Sequence, residues 1–411
     1  MTNPFARFER DVLLLFSTRI IRLFAYGFLS VVLALYLAAI GLDERLIGLL
    51  ISVTLAGDAV VSLWLTTSAD RLGRKRMLIV GSLLMAGAGL AFVFTRHPAL
   101  LMLAAIVGVI SPSGGEIGPF LSIEQAALSQ LLPDKRRTGV FAWYNLVGSF
   151  ATALGALAGG WLSGGIQAGG STPADSYRAV IVGYALAGLL LLLFFALLSR
   201  RVEAATSAEM GKRRLGLHKS RRIVMKLSAL FALDAFGGAF VVQSIMAYWF
   251  FVKFGVDGRV LGSIFFGANV LAGISALLAA RIAARIGLIN TMVFTHIPSN
   301  ILLILVPLMP NLPLAIGVLL VRFSISQMDV PTRQSYTMAV VDPDERSAAS
   351  GVTTIARSVG AAISPALTGL IIANPALLSL PFFIAGVLKI VYDLLLYRSF
   401  LAVKPPEEAN S

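Results

Sequence analysis

Long apolar runs recur along this chain from one end to the other, and short polar loops separate them. Several runs hold about twenty residues, the length that an α-helix needs to cross ~30 Å of hydrocarbon. Only 13% of the residues are charged, whereas about 25% is usual in soluble domains. We therefore expect an all-α membrane protein, because a backbone in lipid must satisfy its hydrogen bonds within helices.

The apolar pattern predicts twelve transmembrane helices. Lys and Arg concentrate in alternate loops, and the positive-inside rule places those loops and both termini in the cytoplasm. We expect a multi-pass protein of a cell membrane, the inner membrane of a bacterium, that works as a monomer. The expected spans are 14–40, 46–69, 77–95, 99–132, 138–163, 177–199, 223–252, 259–283, 291–309, 312–341, 347–372 and 380–398. Pro and Gly residues at 111–119 predict a kink or break in the fourth span.

A basic polar stretch near the midpoint separates two halves of similar length. We expect an N-terminal six-helix bundle over 1–199, a cytoplasmic linker over 200–222, and a C-terminal bundle with a short tail over 223–411. Cytoplasmic loops explain the net charge of +13, which therefore does not indicate a nucleic-acid partner. Cysteine is absent and the three histidines are scattered, so we expect no disulfide, metal site or cofactor.

The two halves are related in sequence. Shifts of 212, 214 and 209 residues superpose successive segments of the first half on the second, in chain order. Such a repeat is typical of transporters, and it predicts two pseudo-symmetric six-helix bundles. Matched residues include Phe24 with Phe236, Phe28 with Phe240, Tyr36 with Tyr248, Gln125 with Gln334, Arg137 with Arg346, Ser149 with Ser358, and Gly160 with Gly369.

The loop after the second span, residues 66–78, reads TTSADRLGRKRML. It resembles the signature loop of the major facilitator superfamily. Its glycine permits a tight turn, and its aspartate can form charge-assisted hydrogen bonds that lock one conformation. We interpret the loop as a conformational latch; the alternative is a basic loop that only sets topology. The residues that match the signature are Asp70, Arg71, Gly73, Arg74 and Lys75.

The resemblance extends over the whole chain at the level of topology. It implies the superfamily fold and transport by alternating access. The segment Gly155–Gly160 is similar to a motif of the family's antiporters, although Ala156 replaces the proline of that motif. We take the chain to resemble the bacterial proton-coupled efflux branch. The arginine that proton-coupled members carry early in the fourth span is missing from residues 101–110.

Ionisable residues inside the predicted spans are candidates for coupling or substrate binding, because such groups are costly in lipid. The repeat aligns Arg22 with Asp234 and Glu124 with Arg333. By resemblance, these four lie on spans that line the central cavity, and we hypothesise that Arg22–Glu124 and Asp234–Arg333 are buried pairs. The candidates are Arg22, Asp58, Glu116, Glu124, Asp234, Arg322, Asp329, Arg333 and Arg357.

Two further pairings are expected. Lys389 and Asp393 lie four residues apart on one helix, so they are expected to neutralise each other without a function. Asp58 and Arg357 are expected to pair with each other. The alternative to a coupling role is that all these charges form static pairs that fix the register of the helices.

We predict secondary active transport, with proton-coupled export of a small organic compound as the leading interpretation. The expected partners are that compound, protons and the lipid bilayer. Uptake or exchange of an organic anion, bound by the intramembrane arginines, is one alternative. A membrane scaffold or sensor that transports nothing is another. An enzyme is not expected, because no nucleophile–base pair, metal set or nucleotide loop is recognisable.

Overall fold

The computed structural model describes residues 4–116, 118–132, 134–203, 217–342, 345–401 and 403, with backbone alone at 4–9, 134–138 and 347. Every regular element in these residues is helical. Most of the predicted linker, residues 204–216, and the end of the predicted tail lie outside the described residues. The helices are α1 Pro4–Ser30, α2 Leu33–Ala39, α3 Glu44–Leu72, α4 Arg74–Phe94, α5 Pro98–Val107, α6 Phe120–Leu131, α7 Asp134–Ala168, α8 Pro173–Ala196, α9 Arg221–Ala239, α10 Gln243–Phe254, α11 Gly258–Ile286, α12 Leu288–Leu305, α13 Leu312–Phe323, α14 Asp329–Ala339, α15 Arg346–Ile372 and α16 Leu380–Phe400.

Ten helical segments of the described chain are long and apolar enough to cross a membrane. Nine of them correspond to α1, α3, α4, α7, α8, α11, α12, α15 and α16, and the tenth joins α9 to α10. Two shorter apolar helices, α5 and α13, add to this set. The expectation of an all-helical multi-pass membrane protein is confirmed, and the count of twelve spans stays a prediction.

Four of the expected spans are interrupted. The predicted break in the fourth span is present, since α5 ends at Val107 and α6 begins at Phe120. Gly114 and Gly118 inside this break have φ of +70° and +81°, a conformation that a residue with a Cβ rarely adopts. The sequence pattern does not predict the other three interruptions, between α1 and α2, between α9 and α10, and between α13 and α14.

Local chemistry accounts for two of these three interruptions. Pro331 lies in the first turn of α14, where its missing amide is tolerated; deeper in a continuous helix it would remove a hydrogen bond and clash with a carbonyl. Two glycines, Gly237 and Gly238, precede the end of α9, and glycine weakens a helix interior by about 1 kcal/mol relative to alanine. The helices therefore end where the sequence supports them least.

The chain divides into two compact units. The first unit comprises Met1–Met210 and Gln243–Phe266, and the second comprises Gly211–Val242 and Gly267–Ser411. Helix α10 and the start of α11 thus group with the first unit. The expected division into 1–199, 200–222 and 223–411 stays a prediction.

In the first unit, α1 and α7 approach each other closely because glycines face the contact. A Cβ added to Gly155 would lie 2.0 Å from the carbonyl oxygen of Phe24, and one added to Gly27 would lie 2.0 Å from that of Thr152. Small residues at such positions let membrane helices pack backbone to backbone. The glycine run of α7 therefore has a packing function that its sequence spacing indicates.

In the second unit, α15 packs against α9 in a comparable way. A Cβ added to Gly360 would lie 2.3 Å from the carbonyl oxygen of Ala232. Further along α15, the hydroxyls of Ser364 and Thr368 donate to the carbonyls of Phe236 and Phe240. An apolar core that includes Phe231, Tyr336 and Tyr392 holds α9, α12, α14 and α16 around the buried charges described next.

Candidate functional site: two buried ion clusters

The first unit holds a buried cluster of two arginines and two glutamates, which we call the first cluster. Arg22 donates to both carboxylate oxygens of Glu124, over 2.8 and 2.7 Å. Arg22 also lies 3.0 Å from Glu116, which Arg19 contacts at 2.5 Å. The formal charges of these four side chains cancel. Arg19 and Arg22 share one face of α1 because they lie three residues apart.

Neutral groups complete the coordination of the first cluster. Thr18 donates to Glu124 over 2.8 Å, and the hydroxyl of Tyr144 donates to the same carboxylate. The guanidinium of Arg19 stacks 4.4 Å from the centre of the Tyr144 ring. The break between α5 and α6 brings Glu116 to the arginines, since it lies in the irregular segment and not on a helix. Each buried charge therefore has a charged partner and further hydrogen bonds, as buried charges require.

The second unit holds a different arrangement, which we call the second cluster. The carboxylate of Asp234 on α9 lies 2.5 Å from Lys389, 3.0 Å from Arg357 and 3.2 Å from Arg333. These three cations come from α16, α15 and α14, so one carboxylate joins four helices. Arg333 has a second partner, Asp329, at 2.8 Å.

A histidine lies beside this carboxylate. His296 on α12 is 3% exposed, with Nδ1 2.8 Å from Asp393 and Nε2 4.0 Å from Asp234. Asn300, one turn further along α12, donates to the other oxygen of Asp393 over 3.2 Å. The second cluster thus comprises Asp234, His296, Asp329, Arg333, Arg357, Lys389 and Asp393.

The structure contains both contacts that the repeat predicts, Arg22–Glu124 and Asp234–Arg333. The expected neutralisation of Lys389 by Asp393 is wrong. Helix α16 packs against both α9 and α12, so Lys389 reaches Asp234 on one side and Asp393 reaches His296 on the other.

The remaining candidates are placed as follows. Arg357 bonds Asp234, and its expected pairing with Asp58 stays a prediction. Asp58 on α3 accepts a hydrogen bond of 3.4 Å from Ser62. Arg322, near the end of α13, stacks 4.9 Å from the ring of Phe323. A coupling or substrate role for all nine candidates stays a prediction.

Several residues that belong to these clusters or bond to them were not among the candidates. They are Arg19, Tyr144, His296, Asn300, Lys389 and Asp393. The pairs His296–Asn300 and Lys389–Asp393 each repeat a polar residue after four positions within an apolar helix. That spacing places the two polar residues of each pair on one face of their helix. It is the signal from which a contact between the polar faces of α12 and α16 could have been predicted. Among the described residues, no group of three or more acidic, His or Cys side chains is placed to hold a metal ion.

The loop that resembles the family signature makes a network within the first unit. Arg74 lies 3.0 Å from Asp70 and donates from its backbone amide to Glu203 over 2.6 Å. The ammonium of Lys75 donates to the carbonyls of Ala196 and Leu198, over 2.7 and 2.8 Å. Lysine is favourable there because carbonyls are unpaired at a helix C-terminus.

The backbone geometry of Gly73 and a contact with Gln130 of α6 complete the description of this loop. Gly73 has φ of +106°, which a residue with a Cβ would strain to adopt. Arg74 also donates to Gln130 over 3.0 Å. Arg71 is exposed. The loop thus ties the α3–α4 turn to α6 and to the end of α8.

Comparison with known proteins agrees with this architecture. A sequence profile described as Major Facilitator Superfamily matches residues 15–365 and, separately, residues 254–411. An uncharacterized membrane protein of Saccharomyces cerevisiae, YJR124C, is 33% identical over 427 residues, covering 96% of this chain and 95% of the yeast protein.

Solved transporters share the fold. A bacterial homolog of the human lysosomal transporter Spinster, in an inward-facing and occupied conformation, is 17% identical with a TM-score of 0.75 and covers 98% of both chains. A D-xylose–proton symporter is 15% identical with a TM-score of 0.73, covering 97% of this chain and 99% of the symporter. At these identities the likeness concerns the fold alone. The profile match and the yeast relative together establish that the chain belongs to the Major Facilitator Superfamily.

Proposed function

We propose that the protein is a secondary active transporter in which proton binding drives export of a small organic compound by alternating access. The observation that supports this proposal is the sharing of the Asp234 carboxylate by three cations on three other helices. A change of charge or position at this one carboxylate alters the electrostatics of α9, α14, α15 and α16 together. The D-xylose–proton symporter shows that this fold occurs in a proton-coupled protein.

The two clusters have different charge relationships. In the first cluster two arginines meet two glutamates, and removing any one of the four leaves a net charge in the interior, which costs about 3–5 kcal/mol. In the second cluster three cations share the Asp234 carboxylate. We assign structural register to the first cluster and coupling to the second, because Asp234 has cationic partners on three other helices, whereas the cationic partners in the first cluster all lie on α1.

Arg357 is the cation that the second cluster can release most readily. Its side chain is 34% exposed, whereas those of Arg333 and Lys389 are 8% and 11% exposed. Arg333 would keep Asp329 as a partner. If the contacts between Asp234 and its three cations weaken, the guanidinium of Arg357 is therefore the first to be exposed.

Contacts within the first unit supply a candidate gate on the side of α2 and α10. Gln243 donates to Ser30 over 2.8 Å, and Tyr248 donates to Glu44 over 2.8 Å. The backbone amide of Ser244 donates to the carbonyl of Pro112 over 3.0 Å. We propose that alternating access opens these contacts, and that the loop around Arg74 and Lys75 is the corresponding latch at the cytoplasmic end.

We also propose twelve spans in two six-helix copies, with both termini in the cytoplasm of a cell and the monomer as the working form. The interruptions support the repeat, because they fall in the first and fourth predicted spans of each copy. The contacts Arg22–Glu124 and Asp234–Arg333 join the same two spans of each copy with acid and base exchanged.

Exchange or uptake of an organic anion is the second candidate function. The half-buried Arg357 favours it, because a guanidinium binds carboxylate and phosphate in a forked geometry. In this reading the anion replaces Asp234 as the partner of Arg357, and protons need not move.

A transport assay in proteoliposomes tests these proposals. A pH-sensitive dye reports proton movement while cationic, neutral and anionic organic compounds are added, for the wild type and for Asp234→Asn. Asp175→Asn, which alters an exposed acid paired with Arg178, is the matched control. We expect one compound class to move protons in the wild type and the control, and not in Asp234→Asn.

Two other outcomes would overturn the proposal in different ways. Anion flux without proton movement would support the second candidate. A folded protein that moves none of these compounds would favour a scaffold or sensor.

A further inference from the structure

His296 bridges two buried acids of the second cluster. Its Nδ1 lies 2.8 Å from Asp393, and its Nε2 lies 4.0 Å from Asp234. The ring also meets the ring of Tyr392 edge to face, with 6.0 Å between their centres. When Asp393 is ionised, its carboxylate only accepts a hydrogen bond, so in that state Nδ1 of His296 carries the hydrogen and Nε2 has the lone pair. In this state the basic nitrogen of the histidine is the one that faces Asp234.

The charges around His296 come from every helix that forms the cluster. Three acids and three permanent cations balance formally when the histidine is neutral. Arginine does not lose its proton in proteins, whereas histidine is the side chain that titrates between about pH 5 and pH 8. The groups are Asp234 on α9, Asp329 and Arg333 on α14, Arg357 on α15, and Lys389, Tyr392 and Asp393 on α16.

Asp234 and Glu124 are poorly suited to carry a transported proton. Asp234 contacts three cations, and Glu124 is held by both nitrogens of one guanidinium. Opposite charges at such distances stabilise an ionised carboxylate. Asp393, by contrast, is held by a histidine and an amide, not by an arginine or a lysine.

We propose that the His296–Asp393 pair is the binding site of the coupling proton. This inference rests on the proposed proton-coupled transport and names the residues that carry it. A proton from water binds the lone pair of Nε2 and yields an imidazolium, whose Nδ1–H still donates to Asp393. The new Nε2–H faces the Asp234 oxygen that Lys389 occupies at 2.5 Å.

Protonation therefore adds a fourth cation to those that compete for Asp234. The imidazolium attracts the Asp234 carboxylate toward α12 and weakens its hold on Lys389 and Arg357. Release of the proton back to water restores the contacts that the structure shows. The proton thus changes the partners of Asp234 without having to bind that carboxylate.

The first experiment follows the proton directly and does not depend on transport. The chain has three histidines, so changing His97 and His218 to Gln leaves the His296 imidazole as a single signal for NMR of ¹⁵N-histidine-labelled protein in nanodiscs. We record this signal from pH 8 to pH 5 and expect it to change from that of neutral imidazole to that of imidazolium. We also expect Asp393→Asn to weaken proton binding, because it removes the anion that stabilises the imidazolium. An imidazole that stays in one protonation state over this range, or one whose response Asp393→Asn leaves unchanged, would overturn the assignment.

The second experiment separates proton-driven transport from exchange. In proteoliposomes, His296→Gln should reduce pH-gradient-driven flux about tenfold relative to exchange at equal pH, in the usual range of coupling effects. His97→Gln makes the same change at an exposed histidine and should leave both rates unchanged. Wild-type coupling in His296→Gln would contradict the inference.

The outcomes distinguish this inference from the proposed function. If the wild type moves its compound without protons, the coupling proposal fails, and the NMR titration still decides whether the pair binds a proton. If the wild type is coupled and His296 does not titrate, only the site assignment fails. Where His296→Gln does not fold, Asp393→Asn provides the transport test in its place.

Discussion

The guanidinium of Arg22 donates to both carboxylate oxygens of Glu124 between two fully buried side chains. The repeat places Asp234 at the position of Arg22 and Arg333 at that of Glu124, and these two residues are also in contact. The same pair of helices is thus joined in each copy by a salt bridge of opposite direction. The surroundings of the two contacts differ, since Asp234 is shared among cations on three other helices.

Neutralising Glu124 should destabilise the protein strongly. Glu124→Gln leaves part of the charge of Arg22 uncompensated in the interior, and breaking a buried pair costs about 3–5 kcal/mol. Retention of Glu116 beside Arg22 places the expected effect at the lower end of this range. Thermal unfolding of the purified protein measures it. Asp175→Asn breaks an exposed pair and should change stability by at most about 1 kcal/mol; equal effects of the two changes would contradict the structural role of the first cluster.

Asp234 and Lys389 should be energetically coupled. Asp234→Asn leaves three cations facing one another, and Lys389→Met in the same chain removes one of them. A double-mutant cycle on the free energy of unfolding should therefore give a coupling of about 0.5–3 kcal/mol, as contacting residues do. The control cycle pairs Asp234→Asn with Lys253→Met, which alters an exposed lysine of the first unit. Its two effects should add, and additivity in the Lys389 cycle would argue against the contact.

Two glycines of α7 provide a test of the close helix approach. Gly155→Ala puts a methyl group 2.0 Å from the carbonyl oxygen of Phe24, and we expect a loss of about 1–3 kcal/mol from overpacking. Nothing lies within 4 Å of the corresponding atom at Gly165, so Gly165→Ala should be neutral or stabilise by up to about 1 kcal/mol. The melting temperatures of the two variants check this. A similar result for both would mean that α1 and α7 are further apart.

Glu345 should contribute stability that depends on pH. Its carboxylate accepts hydrogen bonds from the backbone amides of His218, Lys219 and Ser220 before α9. Burial raises the pKa of Glu345, but these amides outweigh it and lower the pKa from its ordinary 4.5 to about 2. The folded-state pKa is depressed, so the contribution is fully present above about pH 4.5 and is lost as the pH falls toward 2.

The variant Glu345→Gln tests this pH dependence. The wild type should melt at a higher temperature than the variant from pH 5 to pH 8, by a constant difference. That difference should shrink as the pH falls below 4.5. A difference that grows on acidification would have the wrong sign and would exclude the carboxylate as its cause.

Lys75 should stabilise the end of α8. Lys75→Met removes a charged donor from the carbonyls of Ala196 and Leu198. Because a hydrogen bond to a charged group contributes about 1.5 kcal/mol, hydrogen exchange of the amides at 196–203 should accelerate about tenfold. Arg76→Met changes an exposed neighbour and should leave this exchange unchanged. Transport rates of the two variants then show whether the loop also acts as a latch.

Much of the helical framework follows from the sequence, because the bilayer imposes one length on every apolar run. The expected span 46–69 lies inside α3, and 177–199 overlaps α8 with a shift of a few residues. The interruptions within the spans are harder to predict from the sequence. The prolines and glycines near 111–119 mark one break, whereas the break between α1 and α2 has no comparable local signal.

The candidate site was predictable only in part. The internal repeat aligns Arg22 with Asp234 and Glu124 with Arg333. Because matching residues lie on matching helices of the two halves, the contacts Arg22–Glu124 and Asp234–Arg333 could be expected together. The partners of Lys389 and Asp393 depend on how α16 is rotated between α9 and α12. Rotation about a helix axis is set by packing and not by the local sequence, so the pairing at four-residue spacing was the wrong prediction and His296 was overlooked.

The equal numbers of arginines and glutamates in the first cluster have an electrical consequence. Moving one elementary charge through a membrane potential changes its energy by about 2.3 kcal/mol per 100 mV. The first cluster has no net charge, because it comprises Arg19, Arg22, Glu116 and Glu124. A rocking movement that carries the whole cluster across part of the membrane therefore does not change its energy in the membrane potential. In the proposed mechanism, the voltage dependence of transport then comes from the proton, the substrate and the groups that exchange partners around Asp234.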